Sequence, residues 1–181
     1  MAVREKTQFI PDQIYYITFT ILGWKKIFIN DKYCNLVYQW FNYMKSNYDN
    51  KIYGYVIMPN HIHVLIKITN KSKKLSVLIF NAKRFMGLSI IKLLKEDKKI
   101  NLVNYFSLNS DKRANYKLFQ PRYDSLIIQS RKFFLEKLNY IHKNPCQEKW
   151  NLAEKPEDYK YSSAANYILG KGYYEVDIID F

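Results

Sequence analysis

With 181 residues, 48% of them hydrophobic, the chain is long enough for a single domain with a substantial core, and its composition excludes a collagen, a solenoid or a disordered tract. Its 29 Lys and Arg against 16 Asp and Glu leave a net charge of +13, a field that draws polyanions and makes nucleic acid the leading partner class. Cys34 and Cys146 have no C-x-x-C spacing, which argues against a disulfide framework or a structural zinc; no apolar run reaches membrane-span length and the N-terminus has no signal-peptide core, so no membrane association and a cytoplasmic location are expected.

Ile14 to Ile21 is β-branched and aromatic throughout, bounded by Pro11-Asp12 and Gly23, and reads as a central strand. Asp31 then caps a helix over about 32–47, whose apolar Leu36, Val37, Trp40, Phe41 and Met44 recur at three and four residues. Residues 52–58 and 61–68 are two strands joined by Pro59-Asn60, most simply an antiparallel hairpin. A second helical pattern runs from about 74 to 95, weakened by Gly87. The polar, basic stretch 96–116 reads as a mobile loop, Leu118 to Ile128 as a fourth strand, and Ser130 to Lys143 as a capped helix that Asn144-Pro145 stops.

The order β-α-β-β-α-β with a further helix predicts an α+β, ferredoxin-like antiparallel sheet with helices on one face, plus an added C-terminal helix and tail. One domain over 1–181 is expected, with a core over about 14–145 and a tyrosine-rich appendage over 146–181. Such a fold hosts nucleic-acid binding, metal binding and enzymes alike, so the site must decide.

Two stretches carry chemistry. Of three histidines in the chain, His61 and His63 stand two apart at the start of a strand, so both imidazoles face the same way. That arrangement serves either a pair of buried, satisfied rings or a divalent cation. In the later helix Tyr140 and residue 144 lie one turn apart on one face. Asn144 can be a simple helix stop, or can add an amide oxygen to the two histidines; mixed N/O ligands with open positions would suit Mg²⁺ or Mn²⁺ better than a closed zinc site. His142, two residues from Tyr140, is expected at the surface or as a DNA contact rather than as a ligand.

Taken together, Tyr55-Val-Ile-Met-Pro-Asn-His-Ile-His-Val-Leu-Ile66, Phe119-Gln-Pro-Arg-Tyr-Asp124, Tyr140-Ile-His-Lys-Asn-Pro145 and Lys155-Pro-Glu-Asp-Tyr-Lys-Tyr-Ser-Ser163 resemble the single-tyrosine HUH transposases, and within them the insertion-sequence-200-like and REP-associated tyrosine transposases. The resemblance implies a metal-dependent single-stranded DNA endonuclease and strand transferase. It implies that His61 and His63 bind the cation, that Asn144 completes its ligands, and that Tyr140 attacks the scissile phosphate to leave a 5′-phosphotyrosine and a free 3′-hydroxyl. Insertion-sequence members often carry Gln where this chain has Asn144. The implied partner is single-stranded DNA bearing a hairpin, bound by a homodimer or a monomer.

Lys83, Arg84, Lys112, Arg113 and Arg122 are the candidate DNA-binding cations. The alternative reading is a non-catalytic, ferredoxin-like nucleic-acid-binding protein. Phosphohydrolases with a histidine nucleophile fit poorly: position 65 is Leu65, and no second His-x-Thr exists.

Overall fold

The computed structural model describes residues 9–110 and 114–179. Four strands, β1 (Gln13–Thr20), β2 (Lys51–Met58), β3 (His61–Ile68) and β4 (Asp124–Ile127), form one antiparallel sheet in the order β2-β3-β1-β4. The helices are α1 (Asp31–Tyr48), α2 (Leu75–Glu96), α3 (Ile100–Leu108), α4 (Arg131–Lys143) and the short α5 (Ala164–Ile168). This is the ferredoxin-like arrangement that the element order predicts. None of the described helices is long and apolar enough to cross a membrane.

Both faces of the sheet are covered, which is why β2 and β3 are buried almost continuously rather than in alternation. On one face Tyr15, Ile17, Phe19, Ile62, Val64 and Ile66 meet α1 and α2 in the main core. On the other, Tyr16, Val56, Met58 and Leu65 meet Phe134, Leu138 and Ile141 of α4. The spacing of those three helical residues, four and then three, is one stripe of the helix. Gly54 lets α4 come close, since a Cβ there would stand 2.6 Å from Leu138 Cδ1. Antiparallel register pairs His63 with Val56 and Thr18, and His61 with Met58 and Thr20, so both imidazoles lie on the α4 face.

Several local expectations are corrected. Asp31 does not cap α1: Asn30 occupies the cap without a side-chain bond, and the Asp31 carboxylate instead accepts from Tyr161 Oη at 2.8 Å and Lys160 Nζ at 2.7 Å. Within 96–116, residues 100–108 are helical, because Val103 and Phe106 are buried one turn apart against the main core. The fourth strand is only Asp124–Ile127, with Phe119 making an isolated bridge to Ile21. Ser130 does cap α4, its side chain accepting from the Phe133 N–H at 3.2 Å. Asn144 keeps helical angles (φ −56, ψ −46), and a 3-10 turn over Asn144–Cys146 continues the coil past the proline boundary.

The chain after residue 155 packs along β2 and α1. Val56 bridges Ser162, the Ile57 N–H donates to the Tyr161 carbonyl at 2.9 Å, and the Ser163 N–H to the Tyr55 carbonyl at 3.0 Å. Further on, Tyr174 stacks on Tyr38 with ring centroids 5.0 Å apart, and Asp177 both accepts from the Ile52 N–H at 3.0 Å and donates its own N–H to the Ile52 carbonyl at 2.8 Å.

Candidate active site

The tight Pro59-Asn60 turn fixes where β3 begins, and with it the position of the histidine pair. Their rings stand 4.7 Å apart at 80°. Asn60 sets the state of the first. Its Nδ2 donates to the Trp24 carbonyl at 3.3 Å, so its Oδ1 must face His61 Nδ1, 2.6 Å away, and that nitrogen must carry the proton. The Nε2 lone pair of His61 is then available as a ligand.

His63 is held from β1. The Tyr16 and Thr18 hydroxyls lie 2.8 and 2.7 Å from its Nδ1, and Tyr16 stacks on the imidazole with centroids 5.5 Å apart. In the tautomer that carries its proton on Nδ1, donated to one of these hydroxyls, Nε2 is a buried acceptor with no hydrogen-bond partner among the described residues. A buried acceptor in that state costs about 1–3 kcal/mol unless something pairs with it.

Burial pushes the pKa of His61 down to about 4, helped by the Lys149 charge, and that of His63 down to about 3, helped by His61, Lys137 and Lys149. Both rings are therefore neutral near pH 7, the form that binds a metal.

Tyr140 comes from α4, packed over this face of the sheet. Its ring lies 5.4 Å from that of His63 and 6.5 Å from that of Tyr16, edge-on to both, and the residue is 43% exposed. Because Asn144 remains helical, it falls one turn beyond Tyr140 on the same side. Its Oδ1 is the second buried atom here with no hydrogen-bond partner. Two neutral imidazoles and an orphaned amide oxygen fit a divalent cation with positions left open. Among the described residues, no group of three or more His, Cys, Asp or Glu supplies a closed alternative.

The structure adds residues that the motifs did not single out. Tyr16 and Thr18 could have been found from strand alternation once β1 was paired with β3. Lys137, one turn before Tyr140, places its ammonium 5.2 Å from the Tyr16 ring, and Lys149 and Trp150 follow the 3-10 turn, with Trp150 5.6 Å from His61. The helical spacing to Tyr140 marks Lys137; no spacing rule marks Lys149 or Trp150.

His142 is a correction: it is 8% exposed, not a surface residue, with Nε2 2.9 Å from Ser163 Oγ, because the C-terminal segment covers that side of α4. Of the candidate DNA contacts, Arg84 and Arg122 are exposed. Lys83 does not stand free: its Nζ donates to the carbonyls of Gln120, Arg122 and Pro121 at 2.8, 3.0 and 3.4 Å, bracing α2 against the approach to β4, and burial lowers its pKa to about 8. Lys112 and Arg113 lie outside the described residues.

Three buried histidines have a consequence for stability. His142 is also pushed down to about 4 by burial, so between the ordinary value of 6.5 and about 4 the unfolded chain takes up protons that the folded rings refuse. Stability contributed by their neutrality is complete above pH 6.5 and falls as the pH drops, by about 1.4 kcal/mol per pH unit for each excluded ring. Urea melts in metal-free buffer are expected to show a lower midpoint at pH 5 than at pH 7.5; a midpoint unchanged or higher at pH 5 would contradict buried, neutral rings.

No protein-family model matches the sequence, and no curated protein matches it. Among solved structures, a REP-associated tyrosine transposase bound to a REP hairpin superposes with a TM-score of 0.66 at 16% identity, covering 100% of this chain and 95% of that one. A candidate transposase from Deinococcus radiodurans R1 gives a TM-score of 0.48 at 12% identity over 76% of this chain and 95% of that one. At these identities the likeness speaks for architecture. Over its described residues, then, this chain has the fold of a REP-associated tyrosine transposase, the group that its sequence motifs resemble.

Proposed function

We propose that the protein is a metal-dependent single-stranded DNA endonuclease and strand transferase, acting on hairpin-bearing DNA through a 5′-phosphotyrosine. The observation that carries this reading is the meeting of the Tyr140 and His63 rings, with centroids 5.4 Å apart; His63 Nε2, and Asn144 Oδ1 one helical turn beyond Tyr140, are buried and have no hydrogen-bond partner among the described residues. The shared fold with a transposase solved on a REP hairpin supports it.

In the proposed reaction the Tyr140 oxygen attacks the scissile phosphorus. The new bond is O–P to tyrosine, the P–O3′ bond breaks, the phenolic proton is lost to solvent or base, and the departing 3′-oxygen is protonated. His61, His63 and Asn144 would hold Mg²⁺ or Mn²⁺, and that cation, when bound, supplies Lewis-acid polarisation of a non-bridging phosphate oxygen. The residues themselves do the positioning. Tyr16 and Thr18 fix the His63 ring, Asn60 fixes His61, and α4 sets the phenol against them. Lys137 and Lys149, whose charge already reaches His63, offer the phosphodiester a favourable local field. Because the phosphotyrosine keeps a phosphodiester linkage, a 3′-hydroxyl can attack it in turn and rejoin strands without ATP.

The test is a covalent adduct. Hairpin oligonucleotides taken from DNA flanking the gene, incubated with protein and Mg²⁺ or Mn²⁺, are expected to give a band on a denaturing gel that keeps a 3′-end label and releases a 5′-end label. Hairpin binding with no adduct under any divalent ion would favour the non-catalytic nucleic-acid-binding reading.

A further inference from the structure

The loop between β1 and α1 holds an aromatic side chain beside the histidine pair that the cleavage chemistry does not use. Trp24 is 59% exposed, and its ring stands 6.3 Å from that of His61 at 73°. Its backbone lies in the left-handed region, with φ +56. A bulky residue keeps such a conformation only where its surroundings over-determine it.

Three anchors do that here. Gly23, at φ +61, leaves space that the Tyr105 hydroxyl of α3 fills, for a Cβ there would stand 2.0 Å from that oxygen. The Lys25 ammonium lies 4.5 Å from the centre of the same Tyr105 ring. On the sheet side, the Ile27 and Phe28 N–H groups donate to the Pro59 carbonyl at 2.7 and 3.0 Å, and Asn60 Nδ2 donates to the Trp24 carbonyl at 3.3 Å. Asn60 is therefore shared, with one end of its amide holding Trp24 and the other orienting His61. A single exposed Trp ordinarily calls for no explanation. One fixed in a strained backbone by the same amide that orients a candidate ligand is a built platform.

We propose that Trp24 is the stacking surface for the nucleobase of the nucleotide whose 3′-oxygen leaves, the one immediately 5′ of the scissile phosphate. This deepens, and rests on, the reading of the chain as a single-strand nuclease. In-line attack puts the attacking and leaving oxygens on opposite sides of the phosphorus. Tyr140 contacts the pair at His63 and Trp24 contacts it at His61, so the leaving nucleotide departs toward the tryptophan. Every base has a π-face, so the contact holds the strand without demanding a sequence.

The experiment measures hairpin-oligonucleotide affinity in a Tyr140→Phe background, where the strand stays intact, using normal DNA, DNA abasic immediately 5′ of the cleavage position, and DNA abasic immediately 3′. With Trp24 present, the 5′ abasic strand is expected to bind about tenfold more weakly and the 3′ abasic strand within about twofold of normal. Trp24→Ala is expected to lose about tenfold on normal DNA and to become insensitive to the 5′ abasic change, while Trp24→Phe keeps most of the affinity. Trp24→Gly, which suits the left-handed backbone, repeats the Ala measurement without strain. Equal sensitivity to the 5′ abasic change with and without Trp24 overturns the proposal. So does a shift in oligomeric state on Trp24→Ala with abasic sensitivity unchanged, which would make Trp24 a contact between copies. If the unmodified chain forms no covalent adduct, the nuclease reading itself fails; adduct formation with no Trp24 dependence fails the stacking alone.

Discussion

Replacing Tyr140 by Phe is expected to lower covalent-adduct formation by about 10⁴-fold or more while leaving hairpin affinity within about threefold, because the change removes the only atom that forms the new bond. The contacts that position this side chain are ring contacts, edge-on to His63 and Tyr16, and Phe reproduces them. Thermal stability should therefore move by no more than about 0.5 kcal/mol, as for other half-exposed positions. Adduct formation that survives the substitution would shift attention to Tyr16, the phenol in ring contact with Tyr140. That outcome is not expected: Tyr16 is 7% exposed, its hydroxyl is engaged with His63 Nδ1, and burial holds its pKa well above the ordinary phenol value. An adduct mapped by peptide sequencing to Tyr16, or to any residue but Tyr140, would sink the assignment.

The second large effect concerns the proposed ligands and can be read without any DNA. Mn²⁺ at a hundred times its dissociation constant should stabilise the native protein by about 2.7 kcal/mol, since the unfolded chain has no assembled site. His61→Ala, His63→Ala and Asn144→Ala are each expected to abolish most of that shift, together with cleavage. Asn144 separates a ligand from a structural residue. Its Oδ1 is buried and unpaired, so deleting it costs the metal-free protein little, and Asn144→Asp, which keeps an oxygen and adds charge, should retain the metal-induced shift. His63→Ala differs, because it also strands the Tyr16 and Thr18 hydroxyls and should destabilise the metal-free fold as well. A full Mn²⁺ shift in Asn144→Ala would remove this residue from the ligand set.

The parts of the fold that the sequence makes legible are those in which local preference and tertiary demand agree. β1 and the hairpin are dense in β-branched and aromatic residues and end at turn-forming Pro59-Asn60, so composition and sheet geometry say the same thing. The two-residue spacing of His61 and His63 transfers directly to a shared face. Residues 100–108 fail this test. Ile100, Leu102, Val103, Phe106 and Leu108 do carry an apolar pattern, but it spans only nine residues between the polar runs 95–99 and 109–113, and the structure buries just Val103 and Phe106 of it. His142 fails for another reason: its burial depends on Ser163, twenty-one residues later, and no periodicity within α4 can report what the tail will cover. The same limit hides Lys149 and Trp24 from the site, since each joins it by a contact between elements rather than by a spacing within one.

The C-terminal segment that lies along β2 bears on more than packing. The margin of a sheet is a template on which a neighbouring molecule can extend the ladder, and this sheet's longest outer strand is also among its most apolar. Its own tail occupies that template at Val56, Ile57 and Ile52. The opposite margin is β4, four residues long with Asp124 and Leu126 turned to solvent, too brief to seed fibrillar growth. A chain cut short before its tail would therefore lose its guard against edge-to-edge aggregation before it lost its histidines or its tyrosine.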